Sequence, residues 1–167
     1  MKKFIVITLV VSMILILCAC SNSKKGDASF QVVKQDSSTT GVFLSSGNSK
    51  IAPIFGMTLQ FTTNPNGSTT ILNGTGVSDY IEKLKTDSDF DVPTIKLKGN
   101  VEIQIGSNSE FNSIYCINPS VSWDKNESTL DEIAGLDKGE YYIIIKVTTK
   151  VAMGRETNEY LFKLSVA

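Results

Sequence analysis

The segment from Leu136 to Val166 reads LDKGEYYIIIKVTTKVAMGRETNEYLFKLSV, and it carries the most regular pattern in the chain. In both halves of this segment apolar side chains occupy every second position: Tyr141, Ile143, Ile145 and Val147, then Tyr160, Phe162, Leu164 and Val166. A period of two is typical of a β-strand that buries one face. The segment therefore predicts a hairpin of two strands, with an exposed loop from Ala152 to Asn158 between them.

The start of this hairpin contains a spaced motif, Leu-x-x-Gly-x-Tyr, formed by Leu136, Gly139 and Tyr141. It resembles the tyrosine corner of immunoglobulin-like and fibronectin-type β-sandwiches. The resemblance implies that the leucine fills the core, that the glycine permits the turn, and that the tyrosine hydroxyl bonds back to the chain. The paired cysteines of antibody domains are missing, so the resemblance implies only the wider sandwich class.

Upstream of the hairpin, short apolar segments alternate with turn residues. Asn66 and Gly67 are a strong hairpin signal because both residue types tolerate positive φ, and they separate β-patterns over 57–61 and 69–72. A helix is predicted from Ser78 to Lys85, with Ser78 as its N-cap. The spacing of Leu130, Ile133 and Leu136 indicates a further short helical or irregular crossing.

These patterns predict an all-β, mainly antiparallel fold, namely an immunoglobulin-like β-sandwich with one short helix. Strand patterns that recur every ~8–12 residues with turns between them favour this class. A generic β-meander or a small barrel is the alternative.

The N-terminus has the pattern of an export signal. Lys2 and Lys3 precede an apolar run from Phe4 to Leu17, which is shorter than the ~20 residues of a spanning helix. The run ends in Leu17-Cys18-Ala19-Cys20, which resembles the lipobox of bacterial lipoproteins, although Cys18 stands where a smaller residue is usual. The alternative is an ordinary transmembrane anchor or an uncut signal.

The sequence therefore predicts three parts of the chain. The lipobox predicts a signal peptide over 1–19 and the lipidated Cys20, which begins a flexible tether over 20–40. The strand patterns predict a β-sandwich domain over 41–167. Two acyl chains such as palmitate on Cys20 would hold the protein stably on a bilayer. We therefore expect a lipid-anchored protein on the extracytoplasmic face of the cell membrane.

Composition excludes several chemistries. The chain has no histidine, which excludes Ser-His-Asp and Cys-His catalysis and the usual zinc sites. Its net charge of −1 gives no electrostatic footprint for nucleic acid. There is no glycine-rich phosphate loop, and no cofactor is expected. Cys116 stands in a β-like run and is predicted to be a buried structural thiol.

Three alternating carboxylates, Asp87, Asp89 and Asp91, resemble the start of a calcium loop. Val92 and Lys98 stand where an EF-hand requires glycine and glutamate, so that motif fails. These aspartates are weak candidates for another kind of calcium site, and a solvated acidic loop is the alternative.

Four residues of the hairpin are candidates for contacting a partner. Met153 and Arg155 belong to residue types enriched at interfaces, and they lie on the predicted loop. Tyr142 and Ile144 give the opposite strand face a partly apolar character; if exposed, they would extend a patch beside the loop, and otherwise something must cover them. A merely solvated turn is the alternative.

The sequence as a whole favours a non-catalytic module that binds a protein, a peptide or a cell-wall component, or supports an envelope assembly. One alternative is an extracytoplasmic inhibitor or regulator that acts through an exposed loop. Another is a hydrolase that uses carboxylates alone. For that alternative the sequence offers Glu140, Glu156 and Glu159 around the hairpin, and they are predicted to be solvated edge charges.

Overall fold

The computed structural model describes residues 28–36 and 41–167. The predicted signal peptide, Cys20 and most of the predicted tether lie outside these residues. The described part forms eleven strands and two helices. They are β1 (Ser29–Gln35), β2 (Val42–Ser46), β3 (Ser49–Ile51), β4 (Ile54–Thr63), β5 (Thr69–Asn73), α1 (Ser78–Thr86), β6 (Thr94–Leu97), β7 (Asn100–Gly106), β8 (Ser109–Ile117), β9 (Asn126–Ser128), α2 (Leu130–Ala134), β10 (Gly139–Val151) and β11 (Gly154–Val166).

The strands form two sheets. The smaller sheet has the order β1-β7-β2-β3, and β1 runs parallel to β7. The larger sheet has the order β5-β4-β11-β10-β8-β9, and β6 pairs in parallel with the C-terminal end of β11. The all-β class predicted from the sequence is confirmed.

The main core lies between the two sheets. The alternating residues of the final hairpin all contribute to it, with Val166 at its margin, so the period-two prediction is confirmed. Phe162, Ile143 and Ile145 are fully buried there, and the smaller sheet supplies Leu44, Ile103 and Ile105. Burying one such side chain stabilises the fold by ~1.5–3 kcal/mol.

A second core covers the opposite face of the larger sheet. Ile144 and Leu161 are fully buried on this face, under α1 and the segments that flank it. The Trp123 ring stacks on Tyr142 with a centroid distance of 5.5 Å. The expectation that something covers this partly apolar face is confirmed.

The predicted helix forms as α1, but Ser78 is not its cap. Val77 is the N-cap residue, and its apolar side chain makes no capping hydrogen bond. The Val77 N–H instead donates to the Glu159 carboxylate, at 3.3 Å. Gly76 has φ +64° and lies against that carboxylate. A side chain at this position would clash with Glu159, and it would also strain the backbone, because residues other than glycine rarely adopt this φ.

The crossing after β9 contains a second helix, so the expectation of one helix is wrong. Thr129 and Glu132 form a capping box at the start of α2, in which each side chain bonds the other's backbone N–H. Ile133 of α2 is fully buried in the main core.

Two boundaries differ from the sequence prediction. Strand β1 lies within the range predicted as tether, and Phe30 is buried in the main core, so the folded domain begins before residue 41.

The loop predicted from Ala152 to Asn158 is also wrong. Val151 pairs with Gly154, which leaves only Ala152 and Met153 in the turn. The residues after the turn are held in β11 because β4 pairs with it from Gly154 to Leu161.

The hydrogen bond that was expected for the hydroxyl of Tyr141 is present. The Tyr141 hydroxyl donates to the Asp137 carbonyl oxygen at 3.0 Å. A Cβ on Gly139 would lie 3.3 Å from the Tyr141 ring, so a larger residue there would require the ring to shift by a few tenths of an ångström. Leu136 is half-buried against the main core.

Neither helix in the described residues is long and apolar enough to cross a membrane.

Candidate binding cleft between the sheets

A cleft of about 680 Å³ opens between the two sheets, beside the turn of the final hairpin. The inner face of β11 changes character there, from Phe162 and Leu164 in the core to Glu156 and Asn158 in the cleft. The two sheets are therefore sealed by apolar packing at one end and separated by a partly polar space at the other. The other lining residues are Gly41, Val42, Phe43, Ala52, Pro53, Phe55, Asn108, Ser109, Thr149, Lys150, Val151, Ala152 and Tyr160.

One wall of the cleft is aromatic. Phe55 keeps 51% of its surface exposed, and its ring lies 5.7 Å from that of Tyr160, at an interplanar angle of 50°. Phe43 contributes a third ring from the smaller sheet. The exposed face of Phe55 offers apolar surface that a ligand can cover.

Asn158 is the most unusual polar residue of the cleft. It is only 5% exposed, and its Oδ1 has no hydrogen-bond partner among the described residues. An unsatisfied buried acceptor costs about 1–3 kcal/mol. Native structures rarely keep such groups without a reason, and a ligand N–H or O–H donor would satisfy this one.

Tyr160 and Glu156 flank Asn158 on the same face of β11. Burial raises the pKa of Tyr160 and is the largest effect; the neighbouring Asn158 side chain opposes it, and the negative charge of Glu156 acts in the same direction as burial. The hydroxyl therefore stays protonated at neutral pH. The Glu156 carboxylate also accepts from Gln60 Nε2 at 3.0 Å, which fixes its position.

Strands β10 and β8, which follow β11 in the same sheet, are also tied together by hydrogen bonds at the cleft. The Ser109 and Thr149 hydroxyls lie 2.8 Å apart, and Ser109 is buried. Asn108 Nδ2 donates to the Lys150 carbonyl oxygen at 2.7 Å, while the Lys150 N–H donates to the Asn108 carbonyl oxygen. The β7–β8 turn is thereby fastened to β10 at the cleft.

An irregularity in β4 sets the geometry of the aromatic wall. The register between β4 and β11 shifts at Thr157 and Asn158, and Thr58 is the extra residue. Its hydroxyl donates to the Thr157 carbonyl oxygen at 2.7 Å. β-Bulges commonly re-aim side chains beside functional sites. The shift here places Phe55 directly opposite Tyr160.

The four predicted partner-binding residues do not form one surface. Met153 is 48% exposed and lies in the turn, with Arg155 exposed just after it. Tyr142 lies toward the other end of the hairpin, opposite Lys163, and it is half-buried under Trp123. Ile144 is fully buried. The expected apolar patch beside the turn is therefore not formed by Tyr142 and Ile144, because the second core covers them.

The acidic segment is exposed at Asp87, Asp89 and Asp91. The Asp89 N–H donates to Asp87 Oδ1 at 3.0 Å, which is a local turn interaction. Within residues 28–36 and 41–167, no group of three or more Cys, Asp or Glu side chains is arranged to hold a metal ion.

The prediction of solvated edge charges is wrong for Glu159. It is only 5% exposed, and Lys125 Nζ lies 2.6 Å from its Oε1. Glu159 faces the second core and Glu156 faces the cleft, so the two carboxylates lie on opposite faces of β11. Glu140 is exposed and pairs with Lys163 at 2.7 Å.

Cys116 is a free thiol that is half-buried rather than fully buried. Burial raises its pKa, which disfavours the reactive thiolate. It packs against the main core, away from the residues that line the cleft.

No protein-family model matches this chain, and neither the curated proteins nor the solved structures gave a significant match. The geometry of the cleft is therefore the basis for inferring a function.

The sequence interpretation missed the central residues of the cleft. Asn158 and Glu156 continue the inward-facing phase of Tyr160 and Phe162 along β11, and a polar residue at a core-facing position is a recognisable signal. The predicted loop over 152–158 hid this signal, because residues in a loop have no inward phase.

Proposed function

We propose that the chain is an extracytoplasmic lipoprotein, anchored to the cell membrane through Cys20, whose domain is a non-catalytic module that binds a ligand in the cleft between the sheets. The lipobox supports the anchoring. The observation that carries the binding proposal is the unpartnered Oδ1 of buried Asn158 beside the exposed ring of Phe55.

The chemistry of the cleft favours a saccharide, such as a cell-wall glycan. A pyranose ring offers an apolar face of C–H groups for Phe55 and hydroxyl donors for Asn158 and Glu156. Ligand sites commonly combine an apolar wall with a few placed polar groups in this way.

The cleft supports binding more than hydrolysis. Glycosidases use two carboxyl groups about 5–10 Å apart, and Glu156 is the single carboxylate among the residues that line the described cleft. An inhibitor that acts through a long loop is also less well supported, since the turn of the final hairpin contains only Ala152 and Met153.

The experiment is a calorimetric titration of the protein with a soluble fragment of peptidoglycan glycan. Phe55→Ala should weaken binding about tenfold, because the ligand would remove the exposed half of the Phe55 ring from water, and burying a whole phenylalanine side chain is worth about 1.5–3 kcal/mol. Phe61→Ala is the matched control, since Phe61 is a partly exposed phenylalanine on the opposite face of the same strand. Equal losses in both variants, or no binding by the wild type, would contradict the proposal.

We also propose that the domain is a variant of the immunoglobulin-like sandwich. The order β11-β10-β8-β9 corresponds to the G-F-C-C′ order of variable-type domains, and the tyrosine corner begins β10 at the F position. Three features depart from that family: β1 pairs in parallel with β7, α2 stands between β9 and β10 where strands are usual, and β4 and β5 extend the larger sheet beyond β11.

A further inference from the structure

Strand β5 forms an exposed edge of the larger sheet. Within the described residues it pairs with β4 alone, and all five of its residues are exposed. Ile71 is 53% exposed and Leu72 is 50% exposed, although both are large apolar side chains. An exposed apolar edge strand is a template for pairing with another strand.

The hydrogen bonds to β4 show which backbone groups point to the free edge. The Asn64 N–H donates to the Ser68 carbonyl oxygen, and the Gly74 N–H donates to the Thr58 carbonyl oxygen. Antiparallel strands alternate between hydrogen-bonded and non-hydrogen-bonded pairs. These two bonds mark hydrogen-bonded pairs at the two ends of the β4–β5 ladder. Counting inward from either end in steps of two shows that Ile71 and Phe61 are a non-hydrogen-bonded pair. The N–H and C=O of Ile71, and likewise those of Thr69 and Asn73, therefore point outward.

Strand β5 lacks three features that commonly block pairing, namely a charge, a proline and a bulge. Its sequence, Thr69-Thr70-Ile71-Leu72-Asn73, contains no charge and no proline. Its register with β4 is continuous, so no bulge turns the edge away. Natural edge strands usually carry at least one of these protections.

The edge is complementary to itself. In an antiparallel pairing centred on Ile71, this residue lies opposite its own copy, and Thr69 lies opposite Asn73 of the other chain. Every outward N–H and C=O then has a partner, because each such pair exchanges both of its bonds. No like charges meet, since the strand carries none.

The side chains support the same arrangement. Phe61 lies directly opposite Ile71 on β4, and it is 38% exposed. Pairing two copies would place two isoleucines between two phenylalanines in one continuous apolar row. Cross-strand apolar pairs of this kind stabilise sheets.

From these observations we infer that β5 is a dimerisation strand, which pairs antiparallel with β5 of a second copy of this chain and joins the two larger sheets. This inference does not depend on the proposed ligand or on lipidation.

A site-specific disulfide tests the register on the purified full chain. Ile71→Cys should cross-link to itself on mild oxidation, because the two Cα atoms would be about 5.5 Å apart, within disulfide range. Thr69→Cys is the matched control, since its own copy would lie roughly 13 Å away along the strand. The wild type sets the background from the natural cysteines. Cross-linking of Ile71→Cys no greater than that of Thr69→Cys would overturn the proposal.

Sedimentation of the detergent-purified full chain tests whether the dimer forms without a cross-link. We expect a concentration-dependent dimer in the wild type and a dissociation constant at least about tenfold weaker in Ile71→Lys, where two like charges would meet. Val121→Lys adds the same charge at a residue 81% exposed elsewhere, and it should dimerise like the wild type. A monomeric wild type, or a dimer unchanged by Ile71→Lys, would overturn the proposal and leave the edge to another strand.

Discussion

The Lys125 ammonium lies 2.6 Å from the buried carboxylate of Glu159, whose other oxygen accepts the N–H of Val77 at the start of α1. This contact joins three parts of the chain: β11, the segment before β9, and the helix that covers the second core. The positive end of the helix and the lysine together compensate a carboxylate that has lost its water.

Glu159→Gln should therefore destabilise the domain by about 1–3 kcal/mol, since it removes the charge that Lys125 and α1 are arranged around. Lys125 is 37% exposed and can regain water, which keeps the loss below that of a fully buried pair. Urea unfolding measures the change. Glu140→Gln is the control, because Glu140 belongs to an exposed pair worth about 0–1 kcal/mol. Equal losses would show that Glu159 has no special role.

Tyr141→Phe should lower the free energy of unfolding by about 1 kcal/mol, because it removes the hydrogen bond from the hydroxyl to the Asp137 carbonyl oxygen. Tyr142→Phe is the control. Tyr142 lies on the opposite face of the strand, and the substitution should leave its stacking on Trp123 intact. Urea melts of the two variants give the comparison. A neutral Tyr141→Phe would mean that the corner hydrogen bond does not stabilise the fold.

Cys116 should react more slowly with a thiol reagent in the native protein than in urea. Burial raises the pKa of its thiol, so less thiolate is present at any neutral pH in the folded state. With the folded pKa above the unfolded one, this group stabilises the fold below the unfolded pKa, and that contribution is lost as the pH rises through the folded value. Rapid labelling of the native protein at neutral pH would contradict this prediction.

Cys20→Ser should abolish lipid attachment and leave the precursor uncleaved by the lipoprotein signal peptidase. Metabolic labelling with palmitate measures the first effect, and the mass of the protein measures the second. Cys18→Ala is the control, because bulky Leu17 precedes Cys18 and makes it a poor acceptor. Normal palmitate labelling of Cys20→Ser would show that the lipobox assignment is wrong.

Local patterns predicted the parts of the fold that depend on local sequence. The hairpin from Tyr141 to Val166, the turn at Asn66 and Gly67, and the helix from Ser78 follow from period and turn chemistry. The hydrogen bond of Tyr141 was expected from the resemblance of the Leu-x-x-Gly-x-Tyr motif to the corner of known sandwiches.

Long-range pairing could not be predicted from these patterns. Strand β1 has only a short period-two signal, Phe30 and Val32, and the tether prediction overlooked it; the partner strand β7 lies about 70 residues later. Glu159 resembles an ordinary edge charge until α1 is placed over it. The inward position of Asn158 could have been predicted from the alternation that Tyr160 and Phe162 define. That prediction requires knowing that β11 extends back to Gly154.

The most direct test of the central claim is an NMR titration of backbone amides with a soluble peptidoglycan glycan fragment. We expect the shift changes to concentrate at the residues lining the cleft, above all at Phe55, Asn158 and Tyr160. Asn158→Leu should remove these changes while the rest of the spectrum stays that of a folded protein. Shift changes that cluster around Asp89 and Asp91 instead, or no changes at millimolar ligand, would contradict the claim that the cleft is the binding site.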